Sequence, residues 1–395
     1  MQASYKAHLP SVMLLCLSGF SSMVFLSAGF LMGVAGIIEF ITGEVEMSGS
    51  TLMLAAGSIF LGFLLLPAVY YSLMHIMDKP AREIPFHRVP TSAIAAIWVV
   101  FALSTVILAE VGSMAPLSIP LNLATLVLPV WVFIRIGLRG LDAGSNERRW
   151  GTFTVGLTLV PILIGIAEVI VILIAGTGII LWVVLNPQLI NSLESLSMRL
   201  MYSSNPDTIT RILAPYIFNP TMMVAVLVFF SLLIPIIEEL IKPLGVWLSP
   251  NKTISPSQGF ALGVLGGAAY ALVESLGVSP GFSGTGNLLS IIRAGTDLLH
   301  ITTAGLMGWA LVSAWRERKY IQLGITYLVV ILIHGLWNAM ALSSAAQIAV
   351  EYISNPSPWL INMPIVASMG LVILSIVNLL ILIMANRKIN RNLAV

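Results

Sequence analysis

Two adjacent glutamates and a lysine stand out in the apolar stretch LLIPIIEELIKPLGVW, which covers residues 232–247. An ionised carboxylate in the hydrocarbon of a bilayer costs at least about 2.5 kcal/mol, so it must be neutralised, paired or hydrated. Glu238 and Lys242 are four residues apart and can form an ion pair on one helix face, whereas Glu239 points about 100° away. The pair could lie at the membrane interface with Glu239 reaching water. The alternative is chemistry, because a buried glutamate can activate a water molecule.

Two histidines in later apolar stretches offer the groups that such chemistry needs. Arg293, Asp297 and His300 recur at helical spacing in IIRAGTDLLHITTAGLMGWA and form one polar stripe. His334 and Asn338 are one turn apart in YLVVILIHGLWNAMAL. Histidine can act as a base, an acid or a metal ligand near neutral pH, and asparagine can donate to a developing oxyanion. A lone histidine in a span is more often a packing residue, but with the paired carboxylates these residues would make a hydrolytic site.

A further carboxylate, Glu274, occurs in the stretch GFALGVLGGAAYALVESLG. Counting along each stretch places Glu274 and Arg293 at similar depth, near the outer ends of consecutive spans. We therefore expect them to form an ion pair with a structural role. The same counting places Glu274 closer to the outer surface than the two adjacent glutamates, so the sequence leaves open whether it reaches their site.

The composition predicts that these stretches lie in a membrane. Hydrophobic residues make up 58% of the 395 residues and charged residues 9%, and apolar runs of about 20 residues recur from end to end. Uninterrupted runs favour helices over a β-barrel. The single cysteine excludes an intramolecular disulfide and a cysteine-based metal cluster. We therefore predict an all-α polytopic bundle of about ten spans. The spans are residues 12–38, 52–77, 91–110, 117–137, 152–175, 220–245, 257–278, 287–314, 320–343 and 359–386.

Basic residues predict the orientation of the spans. Lys and Arg cluster in the connections at 78–90, 139–151 and 315–320 and in the C-terminal tail, all on one side of this arrangement. The positive-inside rule places that side, with both termini, in the cytoplasm of a multi-pass cell-membrane protein. The external segment 186–218 is predicted to be an amphipathic helix on the outer membrane surface. The small net charge of +2 gives no reason to expect a nucleic-acid partner.

Polar intramembrane residues are concentrated in the second half of the chain. The first five predicted spans contain only Glu168 as a clearly central charge, whereas the next four hold nearly all the rest. We therefore divide the chain into an N-terminal transmembrane scaffold, residues 1–218, and a catalytic transmembrane module, residues 219–395.

Taken in order, the polar residues of this module resemble the signature of PrsW-type intramembrane proteases, a family distantly related to CAAX-prenyl proteases and bacteriocin-processing enzymes. The matching elements are EELIK at 238–242, YALVE at 270–274, Arg293 with His300, and HGLWN at 334–338. Tyr270 stands where phenylalanine is common. The resemblance covers about 219–343. It implies a helical-bundle glutamate/histidine protease, generally described as a metalloprotease, that cleaves membrane-anchored proteins such as anti-sigma factors.

The resemblance and the residue chemistry together predict roles. Glu238 or Glu239 would orient and deprotonate a water molecule, with His300 sharing that task or holding a metal. His334 and Asn338 would stabilise the tetrahedral oxyanion. The second glutamate would orient His300. The supporting residues are Lys242, which would hold Glu238, together with Glu274, Arg293 and Asp297.

The metal is open on the sequence alone. Zinc sites commonly use two histidines and a carboxylate, which Glu239, His300 and His334 could supply from three helices. The chain has no HExxH motif to space two ligands on one helix. A divalent metal, with zinc as the best fit, and a metal-free glutamate–histidine mechanism are therefore both compatible with the sequence.

Two other functions are also compatible with it. Charged residues within spans build proton and ion pathways, so a proton- or ion-coupled transporter would fit, although the chain shows no internal repeat. A non-catalytic membrane scaffold could keep the histidines for packing, although every proposed catalytic position is retained. No pattern predicts the cleavage position or the oligomeric state.

Overall fold

The computed structural model describes residues 2–82, 89–110, 115–249, 254–277, 284–345 and 358–393, and within these ranges the chain is helical with no strand. Helices are expected because a backbone in hydrocarbon must satisfy its own hydrogen bonds. The predicted all-α fold is confirmed. The helices are α1 (Gln2–Thr42), α2 (Val45–Ile76), α3 (Thr91–Glu110), α4 (Ala115–Gly137), α5 (Asn146–Val184), α6 (Pro187–Met201), α7 (Pro206–Ile217), α8 (Pro220–Val228), a π-helical turn (Phe229–Leu233), α9 (Ile234–Ile241), α10 (Leu244–Trp247), α11 (Pro256–Gly277), α12 (Gly284–Glu317), α13 (Tyr320–Ser344) and α14 (Pro358–Leu393).

The apolar helices follow the predicted spans. Among the described residues, nine helices are long and apolar enough to cross a membrane, and each coincides with a predicted span. The remaining predicted span, 91–110, corresponds to α3, whose apolar part Thr91–Ile107 is shorter. The segment 186–218 forms two helices, α6 and α7, where the sequence predicted one. Both begin with a proline, which favours the first turn of a new helix.

The helices form two compact units, neither of which is a continuous stretch of chain. The first unit contains Met1–Pro161, Ile241–Tyr327 and Ser375–Val395, and the second contains Ile162–Leu240 and Leu328–Leu374. These units are defined by packing. The division along the sequence at residue 218 therefore stays a prediction.

In the first unit, α11 and α12 form a central pair, which α2, α3 and α4 contact from outside. A second pair, α1 and α2, is joined at Gly43, whose φ of +91° is accessible to glycine at little cost. The end of α14 is tied to the end of α4, because Asn386 donates to the carbonyls of Gly137 and Arg139 at 2.8 and 2.9 Å. Helices packed in this way surround α11 and α12 with apolar side chains.

Small residues bring α11 and α12 into backbone contact. Gly259, Gly263 and Gly267 recur at every fourth position of α11, and a Cβ at any of them would lie within 2.5 Å of a carbonyl oxygen of α12. Seams of this kind let membrane helices approach closely, as the small residues of α11 predict. The consequence is local: the backbone of His300 on α12 lies directly against Gly267.

In the second unit, the helix that leads to Glu238 and Glu239 is interrupted by the π-helical turn. Pro235 lacks the N–H that an α-helix would use at this point, and the N–H of Ile234 donates to Phe229, five residues earlier. Upstream, Asn219 caps α8 by accepting from the N–H of Thr221 at 2.9 Å. The two glutamates therefore follow an irregular turn.

Candidate active site

In the second unit, His334 lies between the two adjacent glutamates. Its Nδ1 is 2.7 Å from Oε1 of Glu239, and its Nε2 is 4.0 Å from Oε2 of Glu238. Glu239 is completely buried, His334 is 2% exposed and Glu238 is 7% exposed. Consecutive residues of a helix point about 100° apart. Two adjacent carboxylates can therefore approach one imidazole ring from different sides.

The contact with Glu239 assigns a proton to Nδ1 of the His334 ring. A carboxylate accepts, so Nδ1 carries a proton that it donates to Glu239, and Nε2 faces Glu238. With a neutral ring, Nε2 presents a lone pair that can take a proton or bind a metal. With a protonated ring, Nε2 presents an N–H and Glu239 balances the charge. One atom can thus act as ligand, base or hydrogen-bond donor.

The irregular turn before α9 positions His334 as well. On α13, Gly335 lies against the carbonyl of Ser231, where any side chain would overlap with it. One turn after His334, the Nδ2 of Asn338 donates to the carbonyl of Phe230 at 2.9 Å. The motif HGLWN therefore holds α13 against the turn. One of the two N–H groups of Asn338, predicted as an oxyanion donor, is used in doing so.

Glu238 and His334 offer ligand types that fit a divalent metal. A carboxylate oxygen and an imidazole nitrogen are the usual ligands of catalytic zinc, besides thiolates. Their separation of 4.0 Å is close to the spacing of about 3.4 Å between two ligands of a tetrahedral zinc. Glu239 hydrogen-bonds to the other ring nitrogen, as carboxylates that orient metal-binding histidines do. The donor set of this group is therefore suited to a metal.

In the first unit, a second polar group surrounds His300. The Nζ of Lys242 is 2.6 Å from Nδ1, and Oε2 of Glu274 is 2.6 Å from Nε2. An ammonium group only donates, so Nδ1 accepts from Lys242 and the proton of a neutral ring is on Nε2, the nitrogen that Glu274 contacts. Tyr270 packs edge-on against the ring, with 5.1 Å between centroids. Both nitrogens of His300 therefore have partners within its own unit.

Glu274 extends this group along α11 and α12. It forms an ion pair of 3.0 Å with Arg293, which confirms the pairing predicted from the sequence. Arg293 Nε donates to Ser275 at 3.0 Å, and Ser275 donates to Oδ1 of the fully buried Asp297 at 2.5 Å. These contacts form one network, whose members in order are Lys242, His300, Glu274, Arg293, Ser275 and Asp297.

This network bears on three expectations from the sequence. Glu274, which span counting placed closer to the outer surface than the two adjacent glutamates, reaches His300 because α11 and α12 are in backbone contact. Because it lies on Nε2 of His300, Glu274 is placed to orient that ring, and the orienting role predicted for one of the adjacent glutamates stays a prediction. Lys242, expected to hold Glu238, donates to His300.

Sequence reasoning assigned no role to Ser275, a member of the network, or to Tyr270, which packs against His300. Serine is common in membrane helices, so Ser275 by itself carries no signal. Asp297 does indicate that a partner is nearby, because a carboxyl group inside the bilayer needs a hydrogen-bond donor. Ser275, on the neighbouring helix, supplies it.

The comparison with known protein families identifies the family of this chain. A family model described as PrsW family intramembrane metalloprotease matches residues 165–369, which are 205 of the 395 residues and thus more than half of the chain. None of the curated proteins and none of the solved structures that were compared matches the chain. The matched range contains every residue of both polar groups, together with α6 and α7. The chain therefore belongs to the PrsW family of intramembrane metalloproteases.

Proposed function

We propose that this protein hydrolyses peptide bonds of membrane-anchored proteins through a water molecule activated at Glu238, beside His334. The family supplies the reaction class, an intramembrane protease that acts on membrane proteins in a bilayer. The observation that carries the residue assignment is a buried histidine with one carboxylate on each side. A packing role would need only one hydrogen bond. A histidine with one carboxylate near each ring nitrogen is suited to acid–base chemistry, because the imidazole can give or take a proton beside them.

Glu238 is suited to be the general base. It would take a proton from water as the water oxygen bonds to the scissile carbonyl carbon. It would return that proton to the amide nitrogen as the carbon–nitrogen bond breaks, leaving a carboxylic acid and an amine. His334, protonated and balanced by Glu239, would donate its Nε2–H to the oxyanion. The oxyanion role predicted for Asn338 competes with its hydrogen bond to the Phe230 carbonyl. Substitution of Asn338 can distinguish the two roles.

A divalent metal, which the family implies, fits the same residues. We propose that Glu238 and the neutral Nε2 of His334 would hold it, in place of the general-base and oxyanion-donor roles that they have without a metal, and that Glu239 would orient the His334 ring. The sequence prediction chose Glu239 as a ligand, together with His300 and His334, but Glu239 lies on the Nδ1 side of His334. When bound, the metal would polarise the scissile carbonyl and favour the deprotonated form of a bound water. Zinc is the metal that nitrogen and oxygen ligands of this kind best suit.

His300 is assigned to the same reaction through the family motif. Its ring is fixed by Lys242 and Glu274, and Glu274 is in turn held by Arg293. A histidine with a carboxylate on its Nε2–H can exchange a proton with that carboxylate. Arg293 and Asp297 support His300 through the network, in which the cations of Lys242 and Arg293 balance the carboxyl groups of Glu274 and Asp297.

Cleavage of a membrane protein tests the proposal. We expect a membrane-anchored protein, with anti-sigma-factor-like proteins as first candidates, to be cut in cells with the wild type and to accumulate intact with Glu238→Gln. With the purified protein, Glu238→Gln, His300→Ala and His334→Ala should each lower turnover by about 10²–10⁴-fold while the protein stays folded. Glu194→Gln, at an exposed position of α6, is the matched control and should behave as the wild type.

Three results would contradict the proposal. Turnover at the wild-type level in both histidine variants would show that His300 and His334 are not part of the active site. Proton flux into liposomes without any cleavage would indicate a transporter. Absence of both activities in folded, reconstituted protein would indicate a scaffold.

A further inference from the structure

The backbone before the two glutamates contains a carbonyl that its own helix does not satisfy. In an α-helix, the carbonyl of Phe230 would accept from Ile234, but the Ile234 N–H donates to Phe229 instead. In a π-helix, it would accept from Pro235, which has no N–H. The π-helical turn thus removes the α-helical donor of Phe230, and Pro235 removes the π-helical donor.

A side chain of α13 supplies the donor. The Nδ2 of Asn338 lies 2.9 Å from the Phe230 oxygen. Water is scarce in hydrocarbon, so a carbonyl freed from a helix there needs a protein donor. The next carbonyl, that of Ser231, lies against Gly335, at a point where a Cβ would overlap with it. Asn338 and Gly335 together dock α13 on the irregular turn.

We propose that Asn338 is a positioning residue of the peptidase, which closes the break opened by Pro235 and so holds the two adjacent glutamates beside His334. This inference rests on the proposed function. His334 and Asn338 are one turn apart on α13, and they bind Glu239 and Phe230 respectively.

Two bonds between the same pair of helices fix their rotation as well as their distance. A π-helical turn contains one residue more than an α-helical turn, so it shifts the phase of everything that follows by about 100°. Without the Asn338 bond, the Phe230 carbonyl would regain a donor if the segment returned to α-helical bonding, in which the Ile234 N–H donates to Phe230. That change would rotate Glu238 and Glu239 away from His334.

A double-mutant cycle tests this role. Asn338→Ala should lower kcat per folded molecule by about 10- to 100-fold at an unchanged KM, the size expected when a polar backbone group inside the bilayer loses its donor. Pro235→Ala restores an N–H and permits an unbroken α-helix, so it should lower kcat by itself. In the Pro235→Ala background, Asn338→Ala should lower kcat further by less than about threefold, because the Phe230 carbonyl no longer needs the Asn338 donor. A loss by Asn338→Ala as large in the Pro235→Ala background as in the wild type would overturn the proposal and favour direct oxyanion binding.

Thermal unfolding gives a second measurement that does not depend on cleavage. Asn338→Ala should lower the Tm of the full chain in lipid nanodiscs when residue 235 is proline and leave it nearly unchanged when residue 235 is alanine. Equal Tm values for the wild type and Asn338→Ala would also refute the role, even if no peptidase activity is found. Asn362→Ala is the matched control, because Asn362 donates to the carbonyl of Pro358 on its own exposed helix at 2.9 Å. Asn362→Ala should leave kcat and the Tm unchanged, whether residue 235 is proline or alanine.

Discussion

At the scale of single residues, the two adjacent glutamates differ in what they touch. Glu239 accepts a hydrogen bond from Nδ1 of His334, whereas Glu238 faces Nε2 of the same ring. A glutamate bonded to the ring orients it, and a glutamate on the other side is placed to act on water. The order EE in the motif thus has a simple explanation, because neighbouring helix positions reach different sides of one imidazole.

This difference predicts how each glutamate contributes to metal binding. The purified protein should contain close to one divalent metal per chain, lose it to a membrane-compatible chelator and regain activity with zinc. Glu238→Gln should abolish binding because it removes a ligand. Glu239→Gln should weaken binding only by about 10–100-fold, because it changes a residue that orients a ligand. Elemental analysis and competitive metal titration measure both effects.

Two observations would count against this assignment. One is full turnover in a verified metal-free preparation, which would favour the glutamate–histidine mechanism with the same residues. The other is Glu238→Gln protein that binds metal as tightly as the wild type.

At the scale of helices, close backbone contact decides which side chains meet. Gly259, Gly263 and Gly267 bring α11 against α12, and this contact lets Glu274 on one helix reach His300 on the other. In the second unit, Gly335 plays the corresponding part for α13 and the turn before α9. Glycine is needed at these positions because the neighbouring atom is a backbone oxygen, which cannot rotate away as a side chain can.

The α11–α12 seam predicts opposite effects for the same substitution at two glycines. Gly263→Ala places a Cβ against the carbonyl of Ala304 and should destabilise the protein by about 1–3 kcal/mol. Gly324→Ala, in α13, meets nothing within 4 Å and should be neutral or stabilising by up to about 1 kcal/mol, as alanine favours helix. The free energy of unfolding in mixed micelles provides the comparison. Equal stability of the two variants would show that the seam tolerates a side chain.

At the scale of the whole molecule, the chain is an integral membrane protein with nine strongly apolar helices in the parts that the structure describes, and α3 as a shorter one. The charged residues that these helices bury are concentrated in the range matched by the family model. Buried charges are costly in a bilayer, so their concentration marks the functional part. Of the loops used to orient the chain, that at 78–90 falls partly outside the described residues, at 83–88, where Arg88 lies.

The basic loops predict that both termini face the cytoplasm. In a Cys16→Ser background, Lys79→Cys should be labelled by an impermeant thiol reagent only after the cells are opened. Ser204→Cys, in the connection between α6 and α7, should be labelled in intact cells. Both positions are exposed in the structure. The reverse pattern of labelling would invert the predicted orientation.

The amino-acid sequence by itself determined the membrane class, the approximate bounds of the spans and the order of the four polar motifs. Each of these follows from hydropathy or spacing along one helix, which are local properties. The Glu274–Arg293 ion pair was also predictable, because two opposite charges near the facing ends of consecutive spans have few other partners.

The tertiary structure decided which partner each polar side chain has. Lys242 and Glu274 bind His300, and Glu239 binds His334 through Nδ1. Partners of this kind depend on the rotation of each helix and on how closely two backbones approach. An irregular turn before α9 shifts that rotation by about 100°, and glycines in α11 reduce the distance to α12. Both effects arise from contacts between helices, so a pattern read along one helix does not contain them.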